Sequence, residues 1–535
     1  MSFGTVQSQG TSENCPQPPL SSWNTGSTKT CNACILLFRR SSGIFQDQAG
    51  VLYRKNMMLL CQLMCQDTTV FKNVWMKRSK CPIAYEKGRI YFENYRCCYN
   101  SIGVKPHRLY ELPKCSKLEK IQDALLCECP IGETLSTPAD SESCLLALTT
   151  NNWLHRYSTK TGKLLGSVYL SSQCKFRYLS WDIPQETLVI KSVQSKLTPL
   201  ARQAGVVQPS LLCLAVFQVL PLTLLWMLEI SKNVFGNNII DATISHGILI
   251  VTYSMGLVRL YSFKQITEKF MLQKSVLGQE FEKNGCPGLV GLPPFGIPFN
   301  IQITEPPLLL FEVSCLENAL QIGGFPWHYI VTPNKKQNKG IYHICSLKDN
   351  LLAKNGIQEM NCCSMESDWI YFHPDDSGRI IHVGPGKINM LKLTEIHECQ
   401  YQVVEDYIIV AARENRANQK ITVTSSGRVV KKRYDQLDDD PEQETFKIVE
   451  YEDELDLLAT VAVTQTETDG KALVRLHDNQ TGVLIKEINL EESWDVTHSN
   501  ELFFDRDTIV HLENLPNRNF TCYVYKMIRH FQDED

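Results

Sequence analysis

Four thiols stand in two near-pairs, Cys31-x-x-Cys34 and Cys61-x-x-x-Cys65. Structural zinc takes four tetrahedral Cys or His ligands in pairs of this kind. The second pair lies in a Leu/Met-rich stretch with helical spacing, where i and i+4 share one apolar face, and that favours packing over ligation. His373 and His382 flank a turn but lack a third ligand at fixed spacing. Gly384-Pro385-Gly386-Lys387 resembles the end of a phosphate loop. However, Ile388 stands where Ser or Thr is needed and Ile381 where the leading Gly is needed, so it reads as a turn. No G-x-S-x-G elbow is present. Carboxylates are plentiful, but a glycosidase pair is defined in space and not by spacing. The 21 cysteines are scattered and do not form the dense Cys/His ladder of a ring-type ubiquitin ligase. No catalytic residue, metal ligand or cofactor site is assigned.

The elements that recur are hairpins. Leu145–Leu148, the turn Thr149–Asn152 and Trp153–Tyr157 make one. Ile248–Tyr253 and Leu257–Phe263 flank Ser254-Met255-Gly256. Ile370–Phe372 and Arg379–Val383 flank Asp375–Gly378. Ile421–Thr424 and Arg428–Lys432 flank Ser425–Gly427, and Ala459–Val463 and Lys471–Leu476 flank a polar turn. Apolar runs punctuated this way predict an all-β chain, a β-propeller of about seven divergent WD-like blades. A domain over 67–530 gives blades longer than the usual repeat, so inserted loops are expected at Lys264–Phe299, Pro333–Lys339 and Tyr434–Asp456.

A Ser/Gln/Pro/Gly-rich tail, 1–30, is expected to be disordered. It is polar and lacks a hydrophobic core, which predicts no secretory leader and reduced thiols acting as small hydrophobes. The segment 31–66 changes texture. Leu52, Met57, Leu60 and Met64 follow helical spacing, which predicts a short helix or helical hairpin at about 32–65 that either caps the propeller or docks a partner. Leu211–Leu228 is almost wholly apolar and reaches the lower length of a membrane span. Pro221 lies inside it, and the flanks read better as two buried strands. The carboxylate-rich Asp435–Asp456 is expected to be an exposed loop. The net charge of −4 offers no global field for nucleic acid, and no direct nucleic-acid contact is expected. Gly323–Tyr329 brings Phe325, Trp327, His328 and Tyr329 together between strands, which are candidate partner contacts. Lys431-Lys432-Arg433 is a small basic patch.

Several stretches carry a resemblance: Phe71–Trp75, Pro82–Arg96, Cys174–Asp182, Ser245–Phe263, Gly323–Lys336, Leu352–Pro385, Asp438–Leu458 and Glu492–Thr497. Over about 48–528 the chain resembles the family of DDB- and cullin-4-associated factors. The resemblance implies a non-catalytic substrate receptor that joins cullin-4 through the DDB adaptor and holds an unknown protein for ubiquitination. It also implies a nuclear and nucleolar place, with some cytoplasmic protein and a suggestion of membrane association. Many such receptors dock through Trp-Asp-x-Arg endings. Here Trp181-Asp182 runs into Ile183-Pro184 and Trp494-Asp495 into Val496-Thr497, so that docking mode does not carry over. Others use an N-terminal helical segment. That makes Leu52, Tyr53, Met57, Leu60 and Leu63 the adaptor-docking candidates. The rival readings are a membrane-anchored protein spanning at Leu211–Leu228, a propeller hydrolase, and a propeller scaffold unrelated to ubiquitin.

Overall fold

The computed structural model describes residues 46–529 apart from short gaps and the longer stretches 128–142 and 414–442. Eight four-stranded antiparallel sheets follow one another along the chain. Numbered in order they are blade 1 (84–111), blade 2 (121–169), blade 3 (174–231), blade 4 (239–314), sheet 5 (320–361), blade 6 (369–410), blade 7 (445–489) and blade 8 (499–529). Apolar cores are shared between blades 6 and 7, 7 and 8, 8 and 1, 1 and 2, 2 and 3, and 3 and 4. Seven sheets therefore pack face to face as blades of a β-propeller. Sheet 5 adjoins blade 6, where the Gln321 side-chain amide donates to Ile370 O at 2.9 Å. This is the expected all-β propeller of about seven blades, with a helix in front of it.

Period-2 alternation explains the most apolar run. Ser210–Val219 and Leu222–Ser231 pair antiparallel, with Val219 opposite Leu222 across a tight turn. Cys213, Ala215, Phe217 and Val219 face the core shared with blade 2. Leu212, Leu214 and Val216 face the core shared with blade 4. A strand buried on both sides needs apolar residues at every position. Leu211–Leu228 is thus a blade hairpin and not a spanning helix. No helix of the described residues is long and apolar enough to cross a membrane.

Four of the five expected hairpins form, as the pairs Cys144–Thr149 with Trp153–Ser158, Ile248–Tyr253 with Leu257–Ser262, Trp369–Phe372 with Ile380–Val383, and Leu457–Gln465 with Gly470–Asp478. The hairpin expected at Ile421–Lys432 lies outside the described residues, as do Lys431-Lys432-Arg433 and the tail 1–30. The insertion after Phe263 exists. It holds the helix Phe263–Phe270 and a small hairpin, and it bonds back to blade 2 through Tyr169 N to Gly291 O at 2.7 Å.

Two expectations need correction. Pro333–Lys339 is no inserted loop, because Asn334 pairs with Lys339 at the end of a hairpin. The end of the acidic segment is not exposed either. Thr445–Glu452 is the first strand of blade 7, Glu444 and Glu452 are buried, and Glu444 meets Arg475 at 2.6 Å. Phe446, Val449 and Tyr451 pack into the core shared with blade 6 and Ile448 against the core shared with blade 8, and that packing outweighs the charge run.

The ring closes through its ends. Thr69–Ser79 adds to Phe520–Arg529 as the outer strand of blade 8. Trp75 and Tyr99 then pack across the seam to blade 1 (5.6 Å between ring centres), with the Lys77 ammonium 4.1 Å from the centre of the Tyr99 ring.

Candidate docking site

The helix α1 (Gln46–Met64) lies directly before the closing strand. Its register sorts residues by face. Asn56, Leu59, Leu60 and Leu63 turn inward. Leu63 is fully buried in the core of blades 7 and 8, and Leu59 and Leu60 pack against that core. The Asn56 amide, also buried, donates to Glu454 O at 3.1 Å in the first turn of blade 7. The opposite stripe is exposed and sulfur-bearing: Met57 (42%), Met58 (60%), Cys61, Met64 (66%) and Cys65.

The helix end is fastened by two residues, Thr69 and Lys486. Thr69 Oγ1 lies 3.0 Å from Gln62 O and 3.2 Å from Cys65 O, so it serves carbonyls that a helix C-terminus leaves unpaired. The buried Lys486 ammonium donates to Thr69 O at 2.9 Å and to Thr69 Oγ1 at 2.8 Å. A charge-assisted bond from blade 7 thus fixes where α1 stops and the closing strand starts.

Of the residues singled out for docking, Leu63 is spent on the propeller's own core and Leu60 is half-buried against it. Met57 is exposed. Leu52 and Tyr53 lie within α1, with side chains outside the described residues. Met58, Cys61, Met64 and Cys65 join Met57 among the exposed residues. The spacing of Met57 and Met64 signalled the helix, but nothing in the sequence said which stripe faces inward.

Trp327, His328 and Tyr329 lie in the strand Trp327–Asn334 of sheet 5, and Phe325 falls outside the described residues. Gly323, just before them, presses on blade 6, where an added Cβ would fall 2.6 Å from the Phe372 ring.

The Trp-Asp pairs serve the fold. Asp182 ends the first strand of blade 3 and accepts from His246 N at 2.6 Å and Gly247 N at 3.0 Å in blade 4. Trp494 is buried and stacked on His511, 4.7 Å between ring centres.

Polar side chains that could suggest chemistry are engaged with one another. His373 Nε2 lies 2.7 Å from Asn479 Oδ1, Arg379 donates to Asn479 O at 2.7 Å and to Asp375 Oδ2 at 2.6 Å, and Tyr407 donates to Asn479 O at 2.9 Å. Burial alone would raise the Asp375 pKa, but its bonds to His373, Ser377 and Arg379 hold the carboxyl well below the usual range. This network ties the turns of blades 6 and 7. His382 is buried apart from it against Asn389, at 3.0 Å. Gly384–Lys387 is a turn, with Gly384 N donating to Lys387 O at 2.8 Å. No cluster of three or more metal-ligating side chains occurs among the described residues. Cys31 and Cys34 lie outside them.

The family model described as DDB1- and CUL4-associated factor 17 matches residues 55–527. This chain belongs to that family. The Homo sapiens relative, "DDB1- and CUL4-associated factor 17", is 61% identical over 506 residues, covering 94% of this chain and 97% of the relative. The Danio rerio relative of the same name is 53% identical, covering 94% and 96%. Among solved structures, Saccharomyces cerevisiae Sqt1 overlays with a TM-score of 0.37 at 7% identity, covering 85% of this chain and 97% of that one. So loose an overlay carries no weight. The family match begins inside α1, so the outward stripe from Met57 onward falls within it.

Proposed function

We propose that this chain is the non-catalytic substrate receptor of a cullin-4 ubiquitin ligase, joined to the ligase through the DDB1 adaptor. The relatives' name supports the association with adaptor and cullin. The observation that carries the docking mode is α1. Its inner face is anchored by Leu63, Asn56 and Lys486, while its outer face leaves Met57, Met58 and Met64 exposed. Flexible thioether side chains adapt to a partner groove, and a helix-in-groove contact reads off i, i+3, i+4 and i+7 anchors. The mechanism is proximity: the receptor raises the local concentration of target lysines near the charged conjugating enzyme and supplies no nucleophile.

Such a receptor would work in the nucleus and nucleolus, with some protein in the cytoplasm. The test is reconstitution. Immunopurified chain with DDB1, cullin-4 and charged conjugating enzyme should ubiquitinate proteins that proximity labelling finds accumulating when the cullin is inhibited. Equal modification of those proteins without the chain overturns the reading. Modification by the chain without cullin-4 overturns its non-catalytic part.

A further inference from the structure

Blade 3 carries charge of one sign along two stretches. Residues 171–181 and 187–209 contain Lys175, Arg177, Lys191, Lys196 and Arg202 and no Asp or Glu, in a chain of net charge −4. The fold gathers four of these at one rim. Lys175 and Arg177 open the first strand, Cys174–Asp182. Lys196 sits at the end of the second, Thr187–Leu197, where Cys174 pairs with Leu197. Thr198 N then donates to Gln173 O at 2.8 Å, and the short helix Pro199–Gln203 brings in Arg202.

Lys191 has a counter-charge, Asp241 Oδ2 at 3.0 Å. Among the described residues, Lys175, Arg177, Lys196 and Arg202 have none. Burial and the charge of Lys196 both lower the Lys175 pKa, so the two ammonium groups repel. Of the nearby carboxylates, Asp123 Oδ2 already accepts from Leu179 N at 2.8 Å, and Asp182 stands at the far end of the first strand, where it accepts from His246 N and Gly247 N. Glu229, in the fourth strand, is half-buried, and burial raises its pKa. Tyr178 is 45% exposed among these cations, with Arg177 Cζ 5.5 Å and Lys191 Nζ 5.6 Å from the ring centre. Uncompensated like charges on an exposed rim are relieved by an anion, and an aromatic ring supplies rigid contact area.

The position is informative. In an up-down blade, the turn from first to second strand lies at one rim, and the turn from second to third lies at the other. α1 reaches the first rim, through Asn56 to Glu454 and through the start of the closing strand. Lys175, Lys196 and Arg202 lie at the second. The helix and the basic rim occupy opposite faces.

We propose that this rim of blade 3 seats an acidic segment of a partner protein. Its carboxylates or phosphates would lie against Lys175, Arg177, Lys196 and Arg202, with its backbone over Tyr178. A nucleic-acid backbone would run past four cations onto a surface of net negative charge, which disfavours it. The proposal deepens the receptor reading by naming the chemistry of the captured segment, and it rests on that reading for its meaning.

Fluorescence anisotropy on the full chain tests it, with three labelled probes: an alternating Glu/Ser peptide, its phosphoserine form, and oligothymidylate. Both peptides should bind, more weakly as salt rises, and more tightly than oligothymidylate. Lys175→Gln with Lys196→Gln should weaken peptide binding about ten-fold. The exposed pair Arg177→Gln and Arg202→Gln should do likewise, which guards against a folding artefact at half-buried Lys175. Binding insensitive to salt, unchanged in both variants, or tighter for oligothymidylate overturns the proposal. Capture of DDB1 by the same variants, measured separately, should equal that of the parent. Its loss in parent and variants alike would count against the receptor reading and not against the anionic seat.

Discussion

Asp182 joins two blades with one carboxylate, since both of its oxygens accept backbone N–H groups from blade 4. Asp182→Ala strands two donors at a buried turn and is expected to cost about 1–3 kcal/mol, read as a lowered urea midpoint at constant slope. Glu450 behaves differently. Burial first, and then the charge of Glu501, push its pKa up to about 7. The unfolded carboxyl ionises near 4.5, so the folded state binds the proton more tightly. Its contribution to stability is therefore full below about pH 4.5 and lost as pH rises through about 7. Glu450→Gln is expected to match the parent near pH 5 and to exceed it at pH 8 by on the order of 1 kcal/mol, checked by denaturant melts at the two pH values. These residues are poorly legible in the sequence. Asp182 looks like half of a docking motif and Glu450 like part of an acidic loop, because their partners, His246 and Glu501, are distant in the chain.

At the scale of elements, the strands were the legible part. Blade 3 reads as an unbroken apolar run because Leu212, Leu214 and Val216 serve one neighbour and Cys213, Ala215 and Phe217 the other. The turns Thr161-Gly162 and Thr481-Gly482, in blades 2 and 7, have a physical reason. Gly162 lies under the Tyr110 ring and Gly482 under the Tyr407 ring, both at positive φ, so each turn meets an aromatic of the preceding blade. An added Cβ at Gly482 would fall 2.3 Å from that ring. Gly482→Ala should therefore destabilise by at least about 1 kcal/mol, seen as a lower midpoint in thermal melts. The helix was legible in its existence but not in its orientation. Leu60, Leu63, Met57 and Met64 are all apolar, and only Leu63 and its neighbours find a core. Leu63→Ala should cost about 2–4 kcal/mol, whereas Met64→Ala on the exposed stripe should change stability by less than about 0.5 kcal/mol.

The whole molecule is a ring whose two ends share blade 8. This closure was not legible, because the pairing of Phe71 with Met527 spans nearly the entire chain. The consequence for function is an arrangement of opposite faces. One rim carries α1 and its exposed methionines, and the other carries the uncompensated cations of blade 3. A receptor that must hold an adaptor and a target at once needs separated surfaces of this sort. The most direct measurement is the amount of DDB1 that co-purifies with the full-length chain when Met57, Met58 and Met64 are all changed to Glu. Docking through this stripe predicts loss of DDB1 from a protein that still melts like the parent, while charge changes on the blade 3 rim leave capture intact. Undiminished capture by the triple variant, or by a chain lacking residues 1–66, would contradict it.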